Sequence, residues 1–194
     1  MHQTITTVKQ RLLTPQQLAA EVRRLTSAPA EWVARVRLDP EGRWYEQIRV
    51  SDSCELWLIS WLPGQSTGFH DHGGANGAFG VVWGELDEHM VARGPGSASS
   101  DGSAGSVGMA VRAVSAGQVR AFGAHHMHDV RNSSPDSVAV SVHAYSPPLS
   151  AMTRYDLTPG GLVPVRTEGA DDWLPPGRPA HGQCSRSWPP RAHG

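Results

Sequence analysis

After Pro40-Glu41-Gly42 the chain breaks into short runs of strand-forming residues, and this punctuation restricts its fold more than any other feature. The runs are RWYEQIRV, ELWLISWL, GAFGVVWG, ELDEHMVAR, VGMAVRAV, GQVRAF and SVAVSVHAY, separated by Gly, Pro, Asn and Ser. Many short strands joined by turns predict a mainly β domain, an antiparallel sandwich or barrel. Ahead of them, Thr14-Pro15-Gln16-Gln17 reads as a helix start: a threonine cap, a proline at the first helical position and a glutamine placed for a capping box. Leu18, Val22 and Leu25 follow at helical spacing, and a second short helix is expected over Pro29 to Val36. The predicted organisation is an N-terminal helical segment over 1–42 packed on a barrel over 43–168. A Pro/Gly/Arg-rich tail without periodicity, expected to be disordered, covers 169–194, and Gly94–Gly108 is a low-complexity loop.

At 194 residues one domain is expected. A net charge of −1 argues against nucleic-acid or membrane partners. No run approaches the roughly 18–20 apolar residues of a membrane span, and the polar N-terminus lacks the apolar region of a signal peptide, so a cytoplasmic location is expected. Cys54 and Cys184 are too few and too far apart for a disulfide framework or a cysteine zinc site.

The stretch TGFHDHGGANGAFGVVWGELDE places His70 and His72 one residue apart. Residues two apart on a strand share a face, so both rings can reach one ion, and imidazole suits first-row transition metals. Gly64 precedes His70 by six residues and Gly84 follows Gly77 by seven. These spacings resemble the first motif of the cupins, with Gly77 in the place of the usual acidic residue. Gly117, Gly123, His128 and Asn132 have the spacing of the second cupin motif, with Gly123 in the proline's place and His125 in that of the second glycine. The resemblance implies that the paired motifs bring His128 against His70 and His72 in the mouth of a jelly-roll barrel. His126 is the fallback ligand.

Three neutral histidines leave a divalent ion its full charge and open positions, which an anionic substrate group such as a thiolate can occupy. Such a site suits zinc as well as iron. In VAVSVHAYSPPL, alternation puts Ser141, His143 and Tyr145 on one face, a polar row of hydroxyl, imidazole and phenol. Facing inward beside the metal, Ser141 and His143 would orient the Tyr145 hydroxyl. Trp61, Phe79 and Trp83 are expected to fill the core.

FHDHGG, HDVRN and above all SVHAYSPPL resemble the cysteine dioxygenase family of thiol dioxygenases in its bacterial form, over roughly Arg43 to Leu157. The resemblance implies a small cupin barrel with non-haem iron(II) on His70, His72 and His128, and a Ser141–His143–Tyr145 relay beside it. It also implies insertion of both atoms of dioxygen into a thiol, most closely L-cysteine to cysteine sulfinate. Some members carry a cysteine crosslinked to the active-site tyrosine; its place here is Gly77, so Tyr145 is expected to be unmodified. The family clamps the substrate carboxylate with a Tyr-x-Arg motif on an early strand. Aligning Tyr45 with that tyrosine puts Gln47 in the arginine's place, a pattern that resembles 3-mercaptopropionate dioxygenases. A shifted gap offers Arg43 or Arg49 instead, and alternation places Arg43, Tyr45, Gln47 and Arg49 on one face. The partners expected are a small thiol and dioxygen. A non-catalytic metal-binding cupin is the competing class.

Overall fold

The structure, a computed structural model, describes residues 12–92 and 108–173. Most of the loop expected over 94–108, the tail beyond 173 and Cys184 lie outside the described residues. The helix α1 (Pro15–Thr26) starts as its sequence demands. The Thr14 side chain accepts from the Gln17 N–H while the Gln17 side chain accepts from the Thr14 N–H. The segment expected as a second helix is instead two 3-10 turns, Pro29–Glu31 and Val33–Arg35.

Among the described residues eleven strands follow: β1 (Tyr45–Val50), β2 (Glu55–Trp61), β3 (Phe69–His70), β4 (Asn76–Trp83), β5 (Glu85–Ala92), β6 (Gly108–Ser115), β7 (Val119–Phe122), β8 (Asp129–Arg131), β9 (Ala139–Ser146), β10 (Ala151–Thr158) and β11 (Gly161–Gly169). They form three antiparallel sheets, ordered β1-β2-β9-β4-β7, β11-β10-β3 and β6-β5-β8. This is the mainly β, cupin-type barrel expected from the paired motifs. The β10–β11 hairpin had no counterpart among the sequence runs. On β11 the apolar residues do not mark a buried face, since Val163 and Val165 face solvent, and β10 is half-buried along most of its length.

Every residue of β9 is buried, because both faces are covered. On the outer face Val140, Val142 and Ala144 pack with Leu56 and Leu58 of β2 under Leu18, Val22 and Leu25 of α1. Burial of each such side chain contributes about 1.5–3 kcal/mol, so α1 acts as the lid of the strand that carries the site. On the inner face Ser141, His143 and Tyr145 point into the barrel beside Trp61 and Phe79, both fully buried. Trp83 departs from the expectation of core filling. A shift in strand register between Val81 and Trp83 turns it out, and it is 63% exposed.

Candidate metal centre

His70 ends the short strand β3, and its backbone exchanges hydrogen bonds with that of His128 (3.0 and 3.2 Å). This bridge joins the two halves of the chain that carry the two motifs. Asp71, between the paired histidines, points the other way and accepts from the Thr153 N–H (3.0 Å), the Gly73 N–H (3.1 Å) and the Tyr155 hydroxyl (2.8 Å). With Asp71 pinned to β10, its two neighbours are turned inward. Ligand atoms of His70, His72 and His128 lie within 4.8 Å of one another, and all three residues are buried.

The donor set fits a metal ion. Burial, followed by repulsion from neighbouring imidazoles, holds His70 and His72 well below the usual histidine range, and His128 is lowered chiefly by burial. The rings are therefore neutral, with lone pairs to offer. Both ring nitrogens of His72 are buried with no hydrogen-bond partner among the described residues. An orphaned imidazole at that depth is costly unless an ion takes it. The His72 ring stacks on Tyr145 (centroids 5.3 Å apart) and meets the Phe122 ring at a tilt (4.8 Å). Gly77 has no side chain, and the Phe122 ring fills the space beside it. His126, the fallback ligand, is turned aside, with its Nε2 2.9 Å from Glu88 Oε1.

Beside the three rings runs a hydrogen-bonded row headed by an indole donor. The Trp61 indole N–H donates to Ser141 Oγ (2.9 Å), and an indole only donates. Ser141 Oγ lies 2.9 Å from His143 Nε2, and its own proton can be donated there. When Nε2 accepts from Ser141, the His143 proton is on Nδ1 and is donated to the Tyr145 oxygen, 3.2 Å away. Tyr145 keeps its own hydroxyl proton for a further acceptor. Burial holds His143 down at about 3, so the ring is neutral. Burial and the nearby Glu55 carboxylate push the Tyr145 phenol up, so it stays protonated.

A cavity of about 570 Å³ opens onto this row, with His70, His128, His143 and Tyr145 in its wall. Of the four carboxylate-clamp candidates, Arg43 and Tyr45 line it. The Arg43 guanidinium lies 5.2 Å from the centroid of the Trp61 ring and forms no ion pair among the described residues. Gln47 does not line the cavity; it is buried and donates to Glu55 Oε2 (2.6 Å). Arg49 is corrected by the backbone. A bulge between Gln47 and Arg49 breaks the alternation, and Arg49 reaches Glu31 (3.0 Å) near α1 instead. Sequence reasoning missed Arg154, which lines the cavity from β10 and is held by Glu168 (2.8 Å) and the Thr67 carbonyl (3.0 Å). It also missed Trp61 as the donor at the head of the row.

Among solved structures the chain is similar to the protein TT1209 from Thermus thermophilus (21% identity, 60% of this chain and 93% of that one, TM-score 0.47). It is also similar to a cupin superfamily protein from Desulfitobacterium hafniense (11% identity, 60% and 87% covered, TM-score 0.45). The family described as cysteine dioxygenase type I matches residues 1–158, which include the three histidines, the Ser141–His143–Tyr145 row and the clamp strand. With most of its length matched, the chain belongs to the cysteine dioxygenase type I family and is a dioxygenase with a histidine-rich metal site.

Proposed function

We propose that this chain is a non-haem ferrous thiol dioxygenase that converts L-cysteine to cysteine sulfinate. The observation that carries the reading is the set of three buried, neutral imidazoles, one of them with no close hydrogen bond to either ring nitrogen among the described residues, beside the Tyr145 hydroxyl. Ferrous iron, when bound by His70, His72 and His128, supplies open positions for thiolate and dioxygen and the electron density that activates the latter.

The protein's own groups do the rest. Arg43 meets the substrate carboxylate, because a guanidinium facing a cavity without a carboxylate partner is suited to bind one. Tyr45, also in the wall, shapes the same end of the pocket. Trp61, Ser141 and His143 hold the Tyr145 hydroxyl so that its proton is offered to an oxygen acceptor in the cavity. The apolar side chains of Ile59, Leu149 and Met152 limit water around the sulfur. The thiol supplies all four electrons, so no external reductant is required.

A second reading, 3-mercaptopropionate as substrate, comes from the motif alignment that sets Gln47 in the place of the family's clamp arginine, although Gln47 itself is buried against Glu55 and does not line the cavity. Oxygen consumption by iron-loaded protein with the two thiols side by side decides between them. Cysteine is expected to be turned over faster. Faster turnover of 3-mercaptopropionate favours the second reading, and no consumption with either thiol defeats both.

A further inference from the structure

The three histidines differ in what their second nitrogen touches. His70 Nδ1 is 2.9 Å from the Gly68 carbonyl, neither ring nitrogen of His72 has a close hydrogen bond among the described residues, and His128 Nδ1 is 3.0 Å from Glu88 Oε1. Glu88 is fully buried on β5, and the pairing of β5 with β8 sets it beside Val130, two residues after His128. The same Oε1 lies 2.9 Å from His126 Nε2, and Oε2 accepts from Arg120 Nε (2.9 Å). A carboxylate taken out of water needs such partners, and an apolar side chain would serve stability as well. Its place here calls for another reason.

We propose that Glu88 is a positioning residue of the metal centre. It fixes the proton of His128 on Nδ1 and thereby presents Nε2 as the ligand atom. A carboxylate only accepts, so the Nδ1 facing it must carry the proton. The hold of His126 and Arg120 on the same group keeps it from rotating toward the metal to become a ligand itself. The ligand set has no carboxylate of its own at Gly77, and this one stands one hydrogen bond further out. The inference rests on the metal reading of the three histidines.

The test is cobalt(II) and iron(II) affinity, measured by chelator competition on the whole chain, for the unaltered protein, Glu88→Gln and Glu85→Gln. Glu85 lies on the same strand and contacts Ser115 at the surface. Glu88→Gln should weaken metal binding about 10–100-fold, while Glu85→Gln leaves it unchanged. Equal affinity for Glu88→Gln and the unaltered protein overturns the proposal. So does binding of two ions per chain, since Glu88, His126 and His128 would then hold the second as ligands. Should Glu88→Gln fail to fold, long-range proton–nitrogen NMR of the unaltered, metal-free protein decides: His128 protonated on Nδ1 supports the proposal, and protonation on Nε2 overturns it. If the unaltered protein binds no metal, the proposed function fails, and the tautomer still decides whether Glu88 orients His128.

Discussion

The Phe122 ring occupies the space into which a side chain at Gly77 would project: a Cβ there would overlap Phe122 Cε2 and Cζ. Phe122 also stacks on His126 and lies tilted against His72, with centroids 4.7 and 4.8 Å apart, so it cannot retreat without loosening the site. Gly77→Cys should therefore destabilise the protein by about 1–3 kcal/mol, the usual cost of overpacking. Phe122→Ala alone should cost about 3–5 kcal/mol. Combined, the two should cost less than their sum by about 0.5 kcal/mol or more, as expected of contacting residues. Urea unfolding of the four proteins measures this, and strict additivity would mean that the two positions do not compete for the space.

Tyr145→Phe removes the hydroxyl proton that the row orients and should lower kcat about 100-fold, within the range for acid–base groups. Trp61→Phe keeps a ring in the core but frees the Ser141 hydroxyl to reverse its bond, and should lower kcat about tenfold. Both should retain iron. Full turnover in Tyr145→Phe would remove the tyrosine from the mechanism, and iron loss in Trp61→Phe would assign that residue to ligand support instead.

Arg43→Gln should raise KM for the thiol acid about 10–100-fold, as expected when a charge-assisted pair is lost. Arg49→Gln should leave KM alone, because that side chain reaches Glu31 and Glu21 at the surface, where an ion pair contributes about 1 kcal/mol or less. The reverse pattern in steady-state kinetics would return the clamp to Arg49. Gln47→Arg should shift preference toward cysteine if position 47 still reaches substrate, and unchanged relative rates would agree with its burial against Glu55.

Four buried histidines give the metal-free protein a signature in pH. His70, His72 and His128 are lowered, and His143 titrates at about 3 in the folded state, whereas unfolded histidine titrates near about 6.5. Below about pH 6.5 the unfolded chain takes up protons that the folded protein refuses, so stability is full above that pH and falls as acid is added. The melting temperature should drop between about pH 7.5 and about pH 5, a window in which carboxylates contribute little. A flat profile across it would mean that these imidazoles are not buried and neutral.

The two histidine motifs were legible because glycine spacings mark where the chain must turn. Gly84 has φ +72°, and a Cβ there would collide with the Val138 carbonyl oxygen. The polar row on β9 was legible because alternation holds throughout that strand. Arg49 was misplaced because a bulge leaves no trace in apolar alternation. Glu88 reads as one more charge in an acidic strand until the pairing of β5 with β8 brings it to His128. Arg154 was hidden because β10 is half-buried along most of its length, which blurs any period.

Thiol dioxygenation at this centre is decided by supplying isotopically heavy dioxygen to iron-loaded protein with cysteine and weighing the product. The prediction is one dioxygen consumed per thiol and a sulfinate in which both new oxygen atoms carry the label. Label in one oxygen only, or disulfide and peroxide in place of sulfinate, would contradict it.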